Sequence, residues 1–69
     1  MADTIFTIKE YRGSKYLVNE DDWRYQIDNN NNVWDSDGKK KIGYLKEEWW
    51  HGERWYKVMV DDQQGWVKK

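Results

Sequence analysis

Apolar and polar residues alternate in short runs along this chain, and Gly, Asn and Asp clusters interrupt them about every ten residues. Period-two alternation with that spacing of turn residues predicts β-strands in a meander or small barrel. The run TIFTIKEY (Thr4 to Tyr11) reads as a first strand ended by a turn around Gly13, and SKYLVN as the second. WRYQI alternates strictly, which places Trp23, Tyr25 and Ile27 on one face and Arg24 and Gln26 on the other. DNNNN (Asp28 to Asn32) reads as a loop, because Asn and Asp tolerate positive φ and bond their own backbone. Val33 and Trp34 start a short strand that DSDGKK turns back, with Asp37-Gly38 as a two-residue hairpin turn, and KIGYL (Lys41 to Leu45) returns. EEWW then leads to a bend at His51-Gly52. RWYKVMV (Arg54 to Val60) reads as the longest strand, DDQQG turns it, and Gly65 to Val67 pairs back. No segment has a helical period.

Length sharpens this picture. Sixty-nine residues make a single domain, 1–69, with a thin stability margin. There is no cysteine and His51 is the one histidine, so neither disulfides nor the usual metal ligands can staple the fold. Six Trp, five Tyr and one Phe must therefore supply much of the core, each buried ring contributing roughly 1.5–3 kcal/mol. The expected architecture is all-β: a small antiparallel SH3-like barrel or strongly twisted meander of five to seven short strands.

Parity sorts the rings. Neighbours in a strand face opposite sides, so Trp55 and Tyr56 cannot share a core. Tyr56 lies on the apolar face with Val58 and Val60, whereas Trp55 shares its face with Lys57 and Met59. Tyr56 is therefore expected inside and Trp55 at the surface. The same argument separates Trp49 from Trp50 without saying which is exposed. A surface indole near a bend gives large contact area for little entropy lost. The candidate ligand-binding set is Trp55, Trp50 and Trp66, flanked by Lys57, Glu53 and Asp61. The competing reading is that Trp55 lies under Arg54 or Lys57, and that Trp66 beside Gly65 serves a tight corner.

The segment Trp55-Tyr56-Lys57-Val58, a polar turn, then Gly65-Trp66-Val67 resembles the last hairpin of bacterial SH3 domains. Ile42 to Leu45 is similar to the strand before their distal region. The resemblance covers Trp55 to Val67 most directly. It implies a barrel with a ligand groove near Trp55, a peptide or protein partner, and peptidoglycan as a further ligand. The family adds a short strand after that hairpin, an edge that Thr4 to Tyr11 is expected to fill. KYLVN and NVWDSDGKKKIGYL are similar to short β motifs of viral and phage proteins, which implies an accessory or assembly protein able to self-associate.

Charge and chemistry narrow the function. The net charge is −1, with four basic and eight acidic residues up to Gly38 and eight basic and five acidic after it. That weak balance argues against phosphate neutralisation as the main source of affinity. Lys39, Lys40, Lys41, Lys46, Lys57, Lys68 and Lys69 would serve a single-stranded nucleic-acid groove, but three follow a turn and two are expected to be mobile at the end of the chain. DSDG fails as a calcium loop, because Val33 and Tyr44 fall where acids are required. His51 has no serine at a suggestive spacing, and Glu47/Glu48 and Asp61/Asp62 fall at expected turns. No catalytic residues, metal site or cofactor are expected. The absence of a secretory apolar run or a membrane-length segment predicts a cytoplasmic protein, in the host cytoplasm if viral, and counts against peptidoglycan.

Overall fold

The computed structural model describes residues 3–61 and 63–68. It contains seven strands: β1 (Thr4–Tyr11), β2 (Ser14–Asn19), β3 (Asp22–Ile27), β4 (Asn32–Trp34), β5 (Lys41–Trp50), β6 (Glu53–Val60) and β7 (Gln64–Lys68). Each pairs antiparallel with the next, and β1 pairs parallel with β7, closing the barrel. The described residues contain no helix.

Tight turns set the register. Arg12-Gly13 and His51-Gly52 are two-residue connections with φ of 51° and 80°, and of 52° and 79°. Positive φ at both positions is the type I′ geometry whose twist matches the strands it joins. The β4–β5 connection departs from the sequence reading. Asp37-Gly38 is not a two-residue hairpin turn but part of a loop spanning 35–40, in which Gly38 N–H donates to Asp35 O at 2.9 Å and Asp35 N–H to Lys40 O at 3.0 Å. The Asp35 carboxylate also accepts from Lys39 N–H, which lowers its pKa.

Two further corrections concern strand length and phase. β5 does not stop at Leu45 but continues through Glu47, Glu48 and Trp49 to Trp50, so it exceeds β6 in length. On β3, Leu17 pairs with Tyr25 but Val18 pairs with Trp23, leaving Arg24 as one extra residue. A bulge of that kind breaks alternation. Tyr25 is buried and Ile27 half-buried, whereas Trp23 is turned out, 39% exposed.

The core lies inside the barrel: Phe6, Leu17, Tyr25, Val33, Leu45, Val58 and Val67, with Ile27, Ile42, Tyr56 and Val60 packed against it. Phe6 meets Tyr25 edge-on at 6.0 Å. Tyr56 faces this core as parity requires. Beyond Trp55, where the pairing of β6 with β7 ends, β5 and β6 run on to the His51-Gly52 turn as a short two-stranded projection, consistent with a molecule of 33 × 23 × 23 Å.

Asp28 organises the Asn-rich loop. Its carboxylate accepts from Asn30 N–H and Asn32 N–H, both at 2.9 Å, and from Asn32 Nδ2 and Trp34 Nε1, both at 3.1 Å. The Asn32 backbone donor, followed by the Trp34 indole, holds the Asp28 pKa down to about 2 from 3.8. A pKa lower in the folded chain means that folding favours the carboxylate. That stability is complete above the unfolded value and is lost as pH falls from about 4 through about 2. An NMR titration should find the Asp28 carboxyl midpoint near 2. Asp28→Asn should flatten the acid limb of the stability curve, and an Asp28 midpoint near 3.8 would contradict this network.

Candidate ligand-binding surfaces

Trp50, Trp55 and Trp66 come from three adjacent strands and share the outer face of the sheet. The register sets Glu53 opposite Trp50, Lys57 opposite Trp66, and Lys68 opposite Trp55. Trp50 reaches across β6 and stacks on Trp66 at 4.6 Å and 4°. It meets Trp55 edge-on at 4.9 Å, and the His51 ring lies 4.5 Å from it. Lys57 Nζ sits 5.8 Å from the Trp66 ring centre, and Lys68 and Glu53 pair at 3.6 Å. Lys68 is the last residue of β7. Lys69 and Asp62 lie outside the described residues.

The three indoles differ in role. Trp66, in the middle of β7 and not at a corner, is 7% exposed, and its Nε1 donates to the Asp3 carboxylate at 2.8 Å. Trp50 and Trp55 are half-buried. Trp55 Nε1 is shielded from solvent and has no acceptor among the described residues. An unmet donor of this kind costs about 1–3 kcal/mol.

Asp61 does not join the cluster. It follows the last residue of β6, at the opposite end from Glu53, where it lines a shallow hollow with Lys40, Lys41, Ile42 and Val60. The most exposed indole is Trp49, at 67%. It lies on the other face of the projection, under the Arg54 guanidinium at 5.4 Å, and Arg54 also pairs with Glu47.

A second ring cluster was not visible to the parity argument. Trp23 meets Tyr16 edge-on at 5.4 Å and Tyr11 at 6.3 Å, with Lys9 Nζ 5.9 Å from the Trp23 ring centre and Arg12 5.3 Å from that of Tyr11. The turn at Gly13 held part of the signal, since a two-residue loop sets Lys9 opposite Tyr16. The displaced Trp23 did not follow from alternation.

Among the described residues no group of three or more His, Cys, Asp or Glu side chains could hold a metal ion. No protein-family model matches this chain, and no curated protein or solved structure shows significant similarity to it.

Proposed function

We propose that this barrel is a non-enzymatic binding module that docks a peptide or protein segment on the aromatic surface of β5, β6 and β7. One observation carries the reading: in a chain with so little apolar surface to spare, three indoles gather outside the core, and one of them keeps an unmet N–H. Trp50 and Trp55 supply the contact area, Trp66 is the floor, and Lys57 and Glu53 give charge of both signs at the rim. Tight peptide sites have this composition, with rigid aromatic anchors and a polar border. The resemblance of Trp55 to Val67 to the SH3 hairpin supports the same surface.

The test is selection of binders from a displayed random-peptide library, mapped by indole NMR. Selected peptides should shift the Trp50 and Trp55 indole signals. Trp55→Ala should abolish those shifts while the strand spectrum persists, and Trp55→Phe should cost little stability because it deletes the unmet donor. Selected peptides that leave both indoles unmoved would refute the site. A single-stranded nucleic-acid function has its own support in Lys9 and Arg12 over exposed rings. It is distinguished by oligothymidylate binding that weakens steeply with salt.

A further inference from the structure

The barrel closes through only a short stretch of β1. Thr4, Ile5 and Phe6 pair with Gly65, Trp66 and Val67, whereas Thr7 to Tyr11 pair with β2 on one side and with no strand on the other. Every residue from Thr7 to Tyr11 is exposed, including Ile8 at 40% and Tyr11 at 56%.

Hairpin geometry fixes which backbone groups are open. Arg12-Gly13 is a two-residue turn, so Tyr11 and Ser14 bond to each other across it. In an antiparallel ladder bonded and non-bonded residues alternate, so Tyr11, Lys9 and Thr7 direct their N–H and C=O toward β2. Ile8 and Glu10 direct theirs away from it, in the same phase as Phe6, whose side of the strand meets β7. The N–H and C=O of Ile8 and Glu10 therefore form an open row with no partner among the described residues. Open edges of this kind take up extended chains.

Charge identifies the occupant. Lys9, Glu10 and Arg12 make no ion pair among the described residues, although each is exposed. A second copy of this chain fits poorly. The two-fold antiparallel register that uses all the open groups of Ile8 and Glu10 sets Lys9 directly opposite Lys9 of the copy, in a closely spaced non-bonded pair. Centring on Ile8 instead calls on Phe6, which β7 already occupies. A foreign segment with a carboxylate opposite Lys9 replaces repulsion with attraction.

We propose that the Thr7–Tyr11 edge of β1 is a second docking site, which takes an extended peptide as an added antiparallel strand. The segment it fits has an acidic residue opposite Lys9, an apolar residue opposite Ile8 and a basic residue opposite Glu10. This site depends on backbone pairing, not on the indoles of β5 to β7, so the two readings stand or fall separately.

The probe is acetyl-Thr-Lys-Glu-Val-Thr-amide, compared with the charge-swapped acetyl-Thr-Glu-Lys-Val-Thr-amide. The first should shift the Ile8 and Glu10 amides and slow their hydrogen exchange, leaving the Trp50 and Trp55 indoles unmoved. The swapped peptide should bind about tenfold more weakly, as two cross-strand pairs turn from attractive to repulsive. Lys9→Glu should abolish the preference for the first peptide. N-methylation of Ile8 in synthetic protein should abolish binding without disturbing the β1–β2 ladder, as checked by the Lys9 and Tyr11 amides. Four results would overturn the site: Ile8 and Glu10 amides already protected in the free protein, no amide shift at millimolar peptide, equal binding of both peptides, or sedimentation as a dimer that Ile8 N-methylation dissolves.

Discussion

Gly65→Ala should remove a large share of the stability of the fold. The substitution would normally help a strand, because glycine there costs roughly 0.5–1 kcal/mol relative to alanine. Here the added methyl would point into the barrel, onto Phe6 Cε2, 2.9 Å from Phe6 Cδ2 and 2.9 Å from Thr4 O. Thr4 O is backbone and Phe6 is walled in by Tyr25, so neither neighbour can retreat freely. Overpacking of this sort costs about 1–3 kcal/mol and sometimes more, and a core of this size supplies only about 3–5 kcal/mol in total. The clash therefore wins over strand propensity. Urea titration followed by circular dichroism measures the loss. Phe6→Leu in the same chain should recover part of it, because the shorter side chain vacates the space above Gly65, giving a coupling of about 0.5–3 kcal/mol between the two positions. A Gly65→Ala protein as stable as the parent would mean that β1 and β7 do not approach this closely.

Trp66→Ala is expected to have the second large effect, a loss of about 3–5 kcal/mol. This ring lies outside the barrel core, yet Trp50 covers one face and Asp3 accepts its indole N–H. The stack contributes about 0.5–1.5 kcal/mol beyond burial. Trp66→Phe should fall between the two, since it keeps an aromatic face for Trp50 but surrenders the bond to Asp3. Trp49→Ala, at the most exposed indole, should stay within about 0.5 kcal/mol of the parent. Thermal melts of the three variants give the comparison. A Trp49→Ala loss equal to that of Trp66→Ala would reverse the assignment of structural and surface rings.

Much of the strand plan was legible because the chain punctuates itself. Gly13 and His51-Gly52 mark turns that the structure keeps, and parity at Trp55-Tyr56 directs the right ring inward. What was hidden depends on partners distant in sequence. Arg24 becomes an extra residue only because β2 holds Leu17 against Tyr25 and Val18 against Trp23, and that shift moves Trp23 out of its expected face. The meeting of β1 with β7 joins opposite ends of the chain, which no local pattern encodes; it was expected only through the likeness of the last hairpin to SH3 domains, and its parallel direction was not foreseen. The candidate set divides for similar reasons. Trp50, Trp55, Trp66, Lys57 and Glu53 lie together because the register of three strands aligns them, whereas Asp61, close to Lys57 in sequence, is carried to the other end by the rise of β6.

The parallel meeting of the first and last strands also sets how the molecule bears mechanical load. A force pulling on the chain before β1 and the chain after β7 draws the two strands in opposite directions along their length. Their hydrogen bonds then fail together in shear instead of opening one by one like a zip. Stretched between two anchors, the domain should resist extension more strongly than when it is pulled across the tip of the β5–β6 projection, where the ladder peels from one end.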